Sequence, residues 1–259
     1  MIYEPKGRAR EYSPLALNLY NGCDSGCFYC YLRRLPGNFS TSKAVAKKNC
    51  IERLKKSAKK YKNSDKQVLL SFIGDPYCRA NLVQNLTRQA LEILLENRIP
   101  VSILTKGGLQ CINDLGIYEE FDGHIQVGAT ITYKNNFQTE QYEPAAATYL
   151  DRISTLEILH KKGIKTWISF EPVVEVDTVE QTLIDTVDFV DMYKIGFMNY
   201  HKLDIDKNRL FSLLKEFVGV RKIYLKKDLR EAYSVWLGKP FEQDPDDFCV
   251  ASFDNWCGG

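Results

Sequence analysis

The chain has 259 residues, 44% of them hydrophobic and 26% charged, which suits a globular protein with a full core and excludes disordered and collagen-like chains. Its 35 basic and 33 acidic side chains leave a net charge of +2, so only a local patch, not the overall charge, could draw it to a polyanion. No apolar leader opens the sequence and no run of about 18 apolar residues follows, so a cytoplasmic protein with no membrane association is expected.

In chain order, residues 15–20 form an apolar run stopped by Asn21-Gly22, which reads as a strand followed by a turn. The loop that leaves it carries Cys23, Cys27 and Cys30 at the spacing C-x3-C-x2-C. Residues 42–61 read as a basic helix containing Lys43, Lys47, Lys48, Lys55, Lys56, Lys59 and Lys60. Residues 68–73 read as a buried strand ending at Gly74-Asp75-Pro76. A helix over 85–97 leads to a strand over 101–105 that ends at Lys106-Gly107-Gly108. Helix 110–121, strand 124–132 and helix 147–162 follow, the last closed by Gly163. Strand 165–170 ends at Glu171-Pro172, and helix 178–189, strand 192–195, helix 206–218 and strand 223–225 complete the alternation.

Strands alternating with helices, without hairpin signals, give parallel βα units and an α/β class. Active sites of such barrels sit at the C-terminal ends of the strands. Those ends carry the three cysteines, Gly74 and Asp75, Lys106, Thr130 and Thr132, Ser169 and Glu171, and Gly196. Residues 1–237 are expected to form the barrel and 238–259 a C-terminal tail holding Cys249 and Cys257.

Eight cysteines, three of them crowded near the front of a chain too large to need disulfide staples, favour metal binding in a reducing compartment. A structural zinc or a closed iron–sulfur cluster takes four protein ligands, and no histidine lies near these three. Three thiolates on a four-iron cube leave one iron open, and the amino and carboxylate groups of S-adenosylmethionine can chelate it. The alternative is a zinc knuckle with a distant fourth ligand, in a non-catalytic nucleic-acid-binding protein.

The cysteine spacing, with an aromatic residue before the last cysteine, resembles the motif of the radical S-adenosylmethionine (radical SAM) superfamily. Four strings resemble the subfamily that contains spore photoproduct lyase: Leu17-Asn18-Leu19-Tyr20-Asn21-Gly22-Cys23, Gly74-Asp75-Pro76-Tyr77, Ile103-Leu104-Thr105-Lys106, and Glu143-Pro144 with Asp151-Arg152. The resemblance runs from about Ser13 to Asn199. It implies a partial (β/α)6 TIM-like barrel with a short C-terminal extension, a [4Fe-4S] cluster on Cys23, Cys27 and Cys30, and hydrogen abstraction by a 5′-deoxyadenosyl radical. It also implies Gly74 and Asp75 at the methionine ammonium, Lys106 near the carboxylate or ribose, Thr130 on the cofactor and the backbone of Tyr29 near adenine. Ser169 and Glu171 join this cofactor set from the strand-end inventory. A nucleic acid or nucleotide is the favoured substrate, with a peptide or protein as the alternative, and the expected electron donor is a flavodoxin or ferredoxin. The lyase has a hydrogen-donating cysteine just before its Asp-Pro, whereas Ser71-Phe72-Ile73-Gly74 has none, so the lyase's own reaction is not carried over. Cys78, Cys249 and Cys257 are the candidate catalytic thiols.

Overall fold

A computed structural model describes residues 1–200 and 203–253. The chain opens with β1 (Leu15–Leu17), β2 (Tyr20–Asn21), β3 (Val45–Ala46) and α1 (Cys50–Ala58). Next come β4 (Val68–Leu70), α2 (Arg79–Gln84), α3 (Leu86–Glu96), β5 (Val101–Thr105), α4 (Leu115–Glu120) and β6 (Ile125–Thr130). The second half contains α5 (Asn136–Tyr142), α6 (Tyr149–Lys161), β7 (Lys165–Phe170), α7 (Val176–Thr186) and β8 (Met192–Ile195). It closes with α8 (Lys207–Phe217), β9 (Ile223–Leu225) and α9 (Lys227–Leu237).

Seven strands form one parallel sheet in the order β1-β4-β5-β6-β7-β8-β9, curled into a half-barrel. The fold class and the seven expected strands are therefore found, each of the latter within a few residues. The strands form because their side chains are buried on both faces: β1, β4, β6 and β9 carry no exposed residue. Leu54 and Ala58 of α1 pack with Ala90, Leu91 and Leu94 of α3 against the outer face of the early strands. Leu183, Leu210, Leu214 and Leu229 do the same for the later ones. Inside the curl lies a smaller cluster of Tyr12, Leu69, Trp167, Met192, Tyr224 and Phe248.

The helix expected over 42–61 begins only at Cys50. The preceding stretch instead pairs β3 antiparallel with β2, and Asn49 enters the helix in a left-handed conformation. Two elements absent from the sequence reading, α5 and α9, flank the site. The expected helix over 85–97 is preceded by α2 and begins after Asn85, whose φ of 50° breaks the chain between the two helices.

Two segments close the open half-barrel. The first runs between its edge strands β1 and β9: Glu11 accepts Tyr224 Oη–H at 3.0 Å and Lys227 N–H at 2.7 Å, while Lys226 Nζ donates to Arg8 O at 2.8 Å. The second is the tail, which crosses the N-terminal ends of the strands. Val250 N–H donates to Gln67 Oε1 at 3.0 Å, Arg98 Nη2 donates to Phe253 O at 3.1 Å, and His124 Nδ1 meets Ala251 O at 3.0 Å. Gln67, Arg98 and His124 precede β4, β5 and β6, so the tail seals the end opposite the cysteine loop.

Candidate active site

The cysteine loop is tied to its neighbours before any ligand is considered. Asn18, buried at the end of β1, accepts Phe72 N–H at 2.9 Å and Ile73 N–H at 2.8 Å on its side-chain oxygen. This fixes the turn after β4 against the root of the loop. Gly74 completes that turn at φ +84°, where a Cβ would stand 2.6 Å from Gly22 O. Only glycine lets the two backbones approach this closely.

Cys23, Cys27 and Cys30 border one cavity of about 500 Å³. Tyr29, Gly74, Asp75, Lys106, Thr130, Ser169 and Glu171 border the same cavity, so the expected set converges from loops after five strands. Thr132 and Gly196 stand outside it. The three thiols are free of disulfides. Burial pushes the Cys27 thiol up to about 12, and burial followed by the nearby Asp75 charge raises Cys23. Metal binding would release these protons. Among the described residues, no three His, Cys, Asp or Glu side chains converge as they would around one ion.

Asp75 is 8% exposed and fully engaged by donors. Oδ1 accepts Tyr77 N–H at 2.8 Å and the Thr105 hydroxyl at 2.5 Å, and Oδ2 accepts Lys106 N–H at 2.6 Å. Burial raises its pKa despite these bonds, so an arriving ammonium would relieve a buried, poorly neutralised charge. Lys106 lies over the Tyr29 ring at 5.5 Å, with its Nζ 4.0 Å from Glu143 Oε1. Glu143 in turn holds Arg152 Nη2 at 2.5 Å and accepts the Tyr29 hydroxyl.

On the opposite wall, Glu171 accepts from Lys226 Nζ at 3.2 Å, from Asn199 Nδ2 at 3.3 Å and from the Tyr12 hydroxyl. Ser169 Oγ meets the same hydroxyl at 2.8 Å. Tyr12, Tyr31 and Asn199 line the cavity and were absent from the sequence reading. Tyr12 reaches Glu171 across 159 residues, and no local pattern carries such a pairing. Lys226 directly follows β9. It is buried at 1% exposure in the cavity wall.

Two of the three candidate thiols, Cys78 and Cys249, are not among the residues that line this cavity. Cys78 is buried behind Asp75 and borders a second, smaller cavity of about 300 Å³ with Asp24, Gly107 and Gln110. Burial pushes its thiol up to about 12. Cys249 sits on the sealing tail at the far end, near Lys194 and Asp246, because the short helix Pro245–Phe248 inserts Phe248 into the barrel base. Neither is among the residues that border the cavity of Cys23, Cys27 and Cys30, although the cavity beside Cys78 shares Ser25, Asp75 and Lys106 with it. Cys257 lies outside the described residues. Lys55, Lys56, Lys59 and Lys60 are exposed on or just after α1, on the outer wall, and do not border the cavity. No helix among the described residues is long and apolar enough to cross a membrane.

Comparison with known proteins bears on the family and the fold. The family model of the radical SAM superfamily matches residues 17–190. A protein of Methanocaldococcus jannaschii described as uncharacterized is 28% identical over 227 residues, covering 85% of this chain and 78% of its own. Spore photoproduct lyase complexed with dinucleoside spore photoproduct has a similar fold at TM-score 0.64 and 14% identity, covering 88% of this chain and 79% of that one. SuiB of Streptococcus suis bound to S-adenosylmethionine is similar at TM-score 0.61 and 14% identity, over 90% of this chain and 53% of that one.

Proposed function

The chain belongs to the radical SAM superfamily, and from that premise we propose that Cys23, Cys27 and Cys30 hold a [4Fe-4S] cluster and that Asp75, Lys106 and their neighbours seat S-adenosylmethionine beside it. Membership makes the protein an enzyme that acts with S-adenosylmethionine, which sets aside the non-catalytic zinc-knuckle reading. The observation that carries the proposal is the meeting of three free thiols with this polar set around one cavity.

When bound, cluster and cofactor would supply the reductive chemistry that yields a radical for hydrogen abstraction. The chain's own residues bind, orient and shield. Asp75 offers carboxylate charge to the methionine ammonium, and Gly74 lets the turn that carries Asp75 pack against Gly22. Lys106 offers a cation to the carboxylate or ribose. Thr130, Ser169 and Glu171 would supply hydroxyl and carboxylate partners, and the backbone of Tyr29 would serve the adenine. Tyr12, Phe72 and Leu104 line the deeper part of the cavity with apolar surface that excludes water.

The substrate reading is a nucleic acid or nucleotide. Lys6 and Arg8 border the cavity, and the exposed Arg33 and Arg34 lie between the lining residues Leu32 and Leu35. Tyr3, Tyr31 and Tyr200 line it as well, so phosphates could meet cations while bases meet rings. The solved lyase complex with a dinucleoside photoproduct supports this reading. The electron donor is assigned to the flavodoxin or ferredoxin class.

Anaerobic reconstitution tests the cluster: about four irons per chain are expected in the wild type. The triple change Cys23→Ala, Cys27→Ala, Cys30→Ala should abolish both the iron and the formation of 5′-deoxyadenosine. Retention of both would overturn the proposal. Binding of a short oligonucleotide at low salt, weakened in a Lys6→Glu, Arg33→Glu, Arg34→Glu variant, checks the substrate class. No binding by the wild type would count against it.

A further inference from the structure

Between α5 and α6 the chain turns back over the cysteine loop, and residues 142–147 grip it along its length. Phe28 N–H donates to Tyr142 O at 2.8 Å and Ala145 N–H donates to Ser25 O at 3.3 Å. Pro144 lies so close to Gly26 that a Cβ there would stand 2.9 Å from its Cγ. Ala147 N–H donates to Lys106 O at 2.9 Å, extending the grip to the end of β5.

Glu143 lies at the centre of this segment with 1% exposure and does not border the cavity. Its Oε2 accepts Arg152 Nη2 at 2.5 Å, while its Oε1 accepts the Tyr29 hydroxyl and faces Lys106 Nζ at 4.0 Å. Arg152, itself 1% exposed, spends Nε on Ala147 O at 2.9 Å and Nη1 on Thr130 O at 2.8 Å. One carboxylate thus joins the cysteine loop, the end of β5 and the end of β6. Burial would raise the Glu143 pKa, but Arg152, then Lys106 and the Tyr29 hydrogen bond outweigh it and hold the group ionised.

A carboxylate with Arg152 alone would be a neutral buried pair. With Lys106 added the group carries one net positive charge, and the cation that borders the cavity is Lys106. We propose that Glu143 is a positioning residue: it holds the Lys106 ammonium toward the anionic end of the cofactor and, through Tyr29 and residues 142–147, clamps the cysteine loop in register with it. This rests on the cofactor reading above.

The test uses the full chain as wild type, Glu143→Gln, Lys106→Gln and the double variant, each reconstituted anaerobically. Readouts are iron content, S-adenosylmethionine affinity and the change in the reduced cluster's electron paramagnetic spectrum when the cofactor is added. Glu143→Gln should retain iron yet bind the cofactor about tenfold or more weakly, as expected for loss of a charge-assisted anchor. In the Lys106→Gln background the Glu143→Gln change should cost clearly less affinity than it does in wild type, because much of what Glu143 does for the cofactor passes through that lysine. Unchanged affinity in Glu143→Gln, or independent effects of the two changes, would overturn the positioning role. If Glu143→Gln fails to fold, Tyr29→Phe removes only the phenol–carboxylate bond. Alkylation of Cys27 in the metal-free chain should then run several-fold faster than in wild type, and an unchanged rate overturns the clamp. A wild type that takes up no iron would sink the cluster proposal instead, while the alkylation comparison would still decide the clamp.

Discussion

Asp75 spends its carboxylate on a hydroxyl and two backbone N–H groups from the loops after β4 and β5, so its charge is built into the wall before a ligand arrives. Asp75→Asn keeps the volume but aims an amide N–H at a donor. Titration with S-adenosylmethionine should show about a tenfold or greater loss of affinity, and the unfolding free energy from chemical denaturation should fall by about 1–3 kcal/mol. Lys194 is the opposite case. It is buried inside the barrel, its Nζ donating to Glu11 O at 3.1 Å and Tyr12 O at 3.0 Å with the rings of Tyr12, Trp167 and Tyr224 around it. Burial brings its pKa down from 10.5 to about 8. The folded chain therefore holds this proton less tightly than the unfolded one, and unfolding takes a proton up between about pH 8 and 10.5. Stability should rise with pH across that window. At about 1.4 kcal/mol per tenfold change in proton affinity the full effect is of order 3 kcal/mol. Comparing the chemical denaturation of wild type and Lys194→Met across the window isolates it: the difference should move in favour of wild type as pH rises.

At the scale of elements, strands were legible because burial on both faces writes an uninterrupted apolar run, as in Val68-Leu69-Leu70 and Ile223-Tyr224-Leu225. Their ends were legible because polar residues mark where the run stops. The short helix α5 was not: its Asn-Phe-Gln-Thr-Glu-Gln-Tyr has no repeating apolar face and is held by the Asn135 cap, which accepts Phe137 N–H at 2.8 Å. The basic helix was overread for a related reason, since lysine is compatible with both helix and extended chain. The place of Cys249 was also hidden, because it depends on Phe248 filling a barrel base made of residues far away in sequence. One interior contact has a sharp consequence. β6 and β7 pair Gly128 with Trp167, and a Cβ on Gly128 would stand 2.3 Å from the indole ring. Trp167 is 1% exposed and cannot give way freely. Gly128→Ala should lower stability by about 1–3 kcal/mol through overpacking, visible as a lower melting temperature.

For the molecule as a whole, the half-barrel is completed by pieces that are not strands: the segment around Glu11 and Tyr12 on the open side, and the tail at the base. Phe248, Val250 and Phe253 are all buried there, at 8%, 5% and 8% exposure. Cutting the chain after Gln243 should cost several kcal/mol, at roughly 1.5–3 kcal/mol for each buried apolar side chain, and protease resistance measures it. The sealed base also governs traffic. With Phe248 and Val250 buried at one end, the cofactor and substrate proposed above would share the cavity that Lys6, Met198 and Tyr200 also line, and would reach it from the same side. Whichever enters last covers the other, so turnover should follow a compulsory order with the cofactor first. Excess substrate should then slow the reaction by occupying the cavity early, and raising S-adenosylmethionine should relieve that inhibition in steady-state kinetics.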